Sequence, residues 1–96
     1  MVGTVYGLLV PRFYFHLCNG LEFAQDDEGV ELANYAAARR NAVHGLRGVM
    51  SGDLLKGEVN TTSFIEVEDE NHELIETVSF ADVVMLRNEP HRRQTD

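Results

Sequence analysis

Hydrophobic and polar positions change period several times along the chain, and each change marks an element. Arg12–Cys18 (RFYFHLC) is aromatic and β-rich, and Asn19-Gly20 follows it directly. Asn-Gly is the strongest short hairpin signal, because both central residues of a type I′ turn need positive φ. Leu21–Gln25 is then the returning strand, and Asp26–Gly29 (DDEG) is a polar turn. Asn34 predicts an N-cap for a helix over Tyr35–Met50, with Ser51-Gly52 as its stop. Tyr35, Ala38, Ala42, Leu46 and Val49 recur at the spacing of one helical face and form the expected core stripe. Gly45 and Gly48 fall inside this helix, each costing about 0.8–1 kcal/mol relative to Ala.

Asp53–Thr62 reads as a connection. Ser63–Asp69 alternates, with Ile65 and Val67 facing one way and Phe64, Glu66 and Glu68 the other. Glu70-Asn71-His72 turns the chain and Glu73–Phe80 returns it. A two-residue loop at Asn71-His72 pairs Ile65 with Val78 and Ser63 with Phe80, and puts Leu74, Val78 and Phe80 on the core side. Glu76 then lands opposite Val67 on that same side, an exception that requires an edge position or an arginine partner. Ala81–Leu86 extends the strand or forms a last helical turn. Hairpin, helix, hairpin is the resulting order: an α+β fold (ββαββ), an antiparallel sheet of two β-hairpins with one α-helix packed across it.

A chain of 96 residues makes one domain. Its organisation reads as an N-terminal extension over 1–10, disordered or adding a strand, a single domain over 11–86, and a flexible tail over 87–96. The apolar run Val5–Val10 has no basic lead and no small-residue cleavage site, which argues against a secretory signal. No stretch approaches the roughly 20 apolar residues of a membrane span. The single cysteine, Cys18, excludes an internal disulfide framework and fits a reducing, cytoplasmic compartment. A formal charge of −8 disfavours general binding to nucleic acid or to anionic lipid. That charge is unevenly spread. Residues 34–51 carry Arg39, Arg40 and Arg47 and no acid, whereas 21–33 carries five acids and no base.

Pro11-Arg12-Phe13-Tyr14-Phe15-His16-Leu17, the Asn-Gly step, Asp27-Glu28-Gly29 with Glu31-Leu32, Ala38-Arg39 at the helix start and the closing Val78-Ser79-Phe80 occur in this order. In these motifs the chain resembles a bacterial family of small uncharacterised proteins, known only as a domain of unknown function, over residues 11–86. The resemblance implies a compact cytoplasmic α+β domain and supplies no activity. Members of that family tend to begin near the Pro-Arg pair, which makes Met1–Val10 look like an extension. They also often carry Gly in the second hairpin turn, where His72 stands here. A two-residue type I′ turn with His second is strained, so a longer loop is the alternative.

Candidate chemistry is sparse. Tyr14, His16 and Cys18 alternate onto one strand face, but a Cys–His pair lacks a third orienting group and two ligands leave a zinc site half empty. No catalytic residue, metal site or cofactor is assigned. Asp26–Gly29 with Glu31 lacks the ligand pattern of a calcium loop. Glu66, Glu68, Asp69, Glu70 and Glu73 crowd the second hairpin, where outward charge blocks edge-to-edge aggregation. Arg40, His44 and Arg47, with Arg39 adjacent, line a helix face that suits an anion or ion pairs with acidic strands.

Phe13, Phe15 and Leu17 fill one side of the first strand, while Tyr14, Cys18, Leu21 and Phe23 make the other largely apolar too. One helix covers one face, so the second needs a cover, and homodimerisation supplies one. The expected interface to a second copy or an unidentified protein partner is Tyr14, His16, Cys18, Leu21 and Phe23. The leading expectation is therefore a non-enzymatic protein-interaction module acting as a homodimer. The alternative is a nucleic-acid-linked regulator, antitoxin-like or transcription-associated, using the basic helix face. Third comes a ligand-binding or catalytic domain around His16, which needs a pocket that is hard to build under a single helix.

Overall fold

The computed structural model describes residues 10–91. Residues 1–9 of the expected extension and 92–96 of the expected tail lie outside the described residues. In chain order the elements are β1 (Arg12–Asn19), β2 (Glu22–Ala24), β3 (Val30–Glu31), α1 (Tyr35–Leu55), β4 (Phe64–Glu68), β5 (Leu74–Ser79) and α2 (Phe80–Val83). All strand pairs are antiparallel, and the sheet is ordered β2-β1-β4-β5. The fifth strand, β3, pairs with the start of β1 on the same side as β2. This is the expected α+β architecture with β3 added, and of the two alternatives for the segment after β5 it is the helical turn, α2, that forms.

Strand alternation sorts β1 into two faces. Phe13, Phe15 and Leu17 point towards α1, joined by Ile65 and Val67 of β4 and Val78 of β5. From the helix come Ala38, Ala42, Leu46 and Met50, a strict i, i+4 stripe. The two alanines bring the helix close to the sheet, and Leu46 fills the centre with no exposure. Met50, four residues on from Leu46, takes the place expected of Val49, while Tyr35 at the other end of the expected stripe is exposed; the helix runs five residues beyond Met50. Ser51 and Gly52 do not stop it. Termination falls at Lys56, with Gly57 behind it at φ 83°. At the other end Asn34 is the cap, its side-chain oxygen accepting from Ala37 N–H at 2.9 Å.

The hairpins differ from expectation in register, for identifiable reasons. Asn19 pairs with Glu22, so the first turn is Gly20-Leu21 and not Asn19-Gly20. Gly20 supplies the positive φ (66°) at the first central position, as a type II′ turn requires. Leu21 is consequently a fully exposed turn residue. In the second hairpin Ile65 pairs with Val78 and Val67 with Glu76, as expected, but Glu68 pairs with Leu74. The residue left over, Ile75, makes a β-bulge that reverses the parity of Leu74 and turns it out of the core. The loop is correspondingly longer than two residues. Asp69 holds it, its carboxylate accepting from Asn71 N–H and Glu73 N–H, with His72 at φ 62° where glycine is favoured.

Glu76 satisfies both conditions its inward position demanded. It sits on the edge strand, and Arg39 Nε donates to its carboxylate at 3.0 Å while the Tyr35 hydroxyl donates at 2.5 Å. Two further ties fix the helix: Arg47 Nε donates to Val83 C=O at 2.9 Å, and Asn19 Nδ2 donates to Asp53 at 3.0 Å.

Two glycines should respond oppositely to alanine. A Cβ on Gly29, at φ 70°, would meet Phe13 O at 2.8 Å, so Gly29→Ala is expected to cost more than about 1 kcal/mol. A Cβ on Gly48 meets nothing, so Gly48→Ala is expected to stabilise by about 0.8–1 kcal/mol, raising Tm by several degrees. Thermal denaturation followed by circular dichroism checks both.

Candidate functional site

The sheet face turned away from α1 is arranged in rows fixed by the strand register. One row crosses three strands as Phe23, Cys18 and Phe64. The next holds His16, Glu66 and Thr77, and the one beyond it Tyr14 and Glu68. Of the expected interface residues, the structure brings Tyr14, His16, Cys18 and Phe23 onto this face and leaves Leu21 outside it on the turn. Phe64 joins them, a residue whose place beside Cys18 follows only from the pairing of β1 with β4. Phe23 is 57% exposed, whereas Tyr14, Cys18 and Phe64 are half-buried.

His16 is the buried centre of this face, with 6% exposure. Its Nδ1 accepts the backbone N–H of Asp26 at 3.0 Å, which fixes the neutral tautomer with its proton on Nε2. Nε2 then donates to Glu68 Oε1 at 2.8 Å. The same oxygen lies 3.2 Å from His72 Nδ1, and the His72 ring stacks on Tyr14 with centroids 4.3 Å apart. Hydrogen bonding from His16 holds the Glu68 carboxyl below its usual range, with His72 adding to the effect and partial burial opposing it. Glu68 is therefore a junction between three elements and not the solvated strand charge expected of it.

Asp26 does a complementary job from the other side. β2 and β3 both pair with β1 but leave a gap between them, and the Asp26 carboxylate fills it. One oxygen accepts Phe15 N–H at 3.0 Å, while the other accepts from Gly29 N–H at 2.9 Å and Glu28 N–H at 3.3 Å. The DDEG segment is thus a hydrogen-bonded patch on the sheet edge. Its signal in the sequence is Asp followed three residues later by Gly, an Asx-type turn. Nothing local, however, announces that its target is Phe15.

This geometry bears on the chemistry available. Both His16 nitrogens are engaged within the protein. Burial, and secondarily the nearby Glu66 carboxylate, push the Cys18 thiol up, which keeps it protonated and weakly nucleophilic. Among the described residues, no group of three His, Cys, Asp or Glu side chains is placed to hold a metal ion. None of the described helices is long and apolar enough to cross a membrane.

Two arginines of the basic helix make bonds within the domain. Arg39 is committed to Glu76 and Arg47 to Val83, both on the flank facing β5 and α2. Arg40 and His44, on the same helix line as Arg47, are exposed. Among the described residues, clefts of several hundred Å³ open beside the helix and not beneath it. A polar one of about 530 Å³ lies between Asn19, Asp53 and Asn60, and an apolar one of about 450 Å³ between Met50, Leu54, Phe80 and Val84. His16 lines neither.

Residues 12–81 match the sequence model of a domain of unknown function, DUF6894. The chain belongs to this family. The DUF6894 match begins at Arg12, the first residue of β1, and ends at Ala81 in α2, so it takes in every strand and the whole of α1. No curated protein and no solved structure matches the chain.

Three substitutions check the roles of the charged residues. The usual glutamate value is 4.5, and the folded Glu68 value lies below it. Its contribution to stability is therefore fully present above the ordinary value and is lost as pH falls through the folded one. Urea denaturation at a series of pH values should find wild type losing stability in that acidic window, and Glu68→Gln less stable at neutral pH with a flatter acid limb. Arg39→Ala should cost about 1 kcal/mol by stranding Glu76 on the core side, whereas exposed Arg40→Ala should change stability by less than about 0.5 kcal/mol.

Proposed function

We propose that this DUF6894 domain is a protein-interaction module that associates with a second copy of itself through the open face of its sheet. The observation that carries the reading is the row Phe23–Cys18–Phe64, apolar across three strands on the face the helix leaves uncovered. A sheet packed on one side needs only one apolar face, so this second one has a use.

The sheet edges support the face as the contact. Glu76 points inward on β5 and a bulge interrupts that strand at Ile75. Along the opposite edge, β2 and β3 are three and two residues long, with the Asp26 patch between them. Inward charge, bulges and short strands are devices that prevent strand addition. Charge on the face favours a particular symmetry. A two-fold axis lying along the apolar row, between two facing sheets, stacks Cys18 on Cys18 and sends Glu66 and Glu68 of the two copies to opposite sides. Such an isologous contact buries apolar groups without opposing like charges. A single thiol at the centre of that contact accords with a cytoplasmic protein. Nucleic-acid binding through α1 has less support, since Arg39 and Arg47 are spent on internal bonds.

Sedimentation velocity tests the reading. Wild type is expected to sediment as a dimer and Phe23→Glu as a monomer with an unchanged far-ultraviolet spectrum, because Phe23 is exposed and contributes little to the core. Maleimide labelling of Cys18 should slow with rising protein concentration in wild type but not in the variant. A wild type that stays monomeric at every concentration, or a Phe23→Glu variant that remains dimeric, overturns it.

A further inference from the structure

The segment Gln25–Gly29 is fastened to the sheet by a hydrogen bond whose acceptor a single proton can remove. Asp26 N–H donates to His16 Nδ1, which requires a lone pair on that nitrogen. Nε2 already carries the ring proton and gives it to Glu68. A second proton therefore has one destination, Nδ1, and two N–H groups cannot then point at one another. We infer that His16 is a proton-operated latch: charging the ring expels the Asp26 N–H and frees the 25–29 loop from β1, while Nε2 stays paired with Glu68.

Every element packed against the ring brings a group to it. Glu68 and Glu66 face the ring from β4, the Asp26 carboxylate lies on the loop itself, and His72 approaches from the second hairpin through Glu68. On β1, Tyr14 and Cys18 flank it on the same face, and Phe23 of β2 covers it with ring centroids 6.1 Å apart. The Asp26 N–H is the one donor aimed at Nδ1, so the closed loop requires that nitrogen to be unprotonated. Release has a reach beyond one bond, because Asp26 also holds Phe15 N–H and both N–H groups of its own turn. Displacing it opens the middle of that edge of β1 and uncouples β2 from β3. The latch does not depend on what covers the open face, and monomeric protein would show it equally.

Nuclear magnetic resonance of the isotopically labelled full chain, from neutral to mildly acidic pH, tests this. At neutral pH, His16 Nδ1 should read as unprotonated and Nε2 as protonated. As the ring charges, exchange of the Phe15, Asp26, Glu28 and Gly29 amides, corrected for intrinsic pH dependence, should rise by roughly tenfold with the same midpoint, as expected for losing a hydrogen bond of ordinary net strength. Amides of α1 should stay protected. In His16→Asn, which keeps an acceptor near the Nδ1 position but cannot titrate, loop exchange should be flat with pH. The wild-type measurement stands alone if that variant does not fold. Loop amides that remain protected beside a fully charged His16 overturn the latch. So does an Nδ1 already protonated in the closed loop, or a loss of protection that strikes α1 at the same pH.

Discussion

One helix has to cover one whole face of a five-stranded sheet, and most other features follow from how that is done. Ala38 and Ala42 let α1 lie close, while Leu46 and Met50 fill the space that opens towards its far end. Position along the sheet is set by polar anchors: Arg39 with Glu76 near the start, Asn19 with Asp53 near the end, and Arg47 with α2 between them. Glu76 illustrates the economy of the arrangement. An inward carboxylate on a strand is costly if left alone, yet here it fixes the helix and blunts the outer edge at once.

The uncovered face is built on a different principle. Its middle is a chain of hydrogen bonds running Asp26–His16–Glu68–His72, which ties both hairpin regions to β1 without an apolar partner layer. Both His16 nitrogens and both Asp26 carboxylate oxygens are engaged, and no buried side-chain nitrogen or oxygen among the described residues lacks a partner. Complete satisfaction is what makes a polar cluster at a sheet centre tolerable. The apolar row beside it has no such internal resolution, which is why association is the functional reading.

Much of the scaffold was legible in the sequence because it depends on local rules. Asn34 capped the helix, the i, i+4 stripe chose its buried face, and strand alternation exposed the anomaly of Glu76. What escaped detection depended on a single residue of register or on distant pairing. Gly20 serves a turn at Asn19-Gly20 or at Gly20-Leu21, and the pairing of Asn19 with Glu22 selects the second. Val30 and Glu31 are too short a run to signal a strand without β1 beside them. The bulge at Ile75 follows from a loop that places His72 in a left-handed conformation, a choice the alternation of side chains cannot reveal. The candidate face was identified through Tyr14, His16, Cys18 and Phe23, but Phe64, Glu68 and Asp26 joined it only once β1 had been set beside β4 and the DDEG turn.

The placement of β1 also has a consequence for how the chain comes to exist. Its central partner, β4, lies some fifty residues further along, as the pairing of Leu17 with Ile65 shows. A nascent chain therefore presents Phe13, Tyr14, Phe15 and Leu17 for as long as it takes to synthesise the helix and the following connection. Only the short β2 and β3 are at hand as local partners during that interval. Contacts of such high sequence separation slow folding and prolong the exposure of sticky strands. The block of five acids between Leu21 and Ala33, emerging immediately after β1, places repulsive charge next to this segment at the stage when nascent copies are most prone to aggregate.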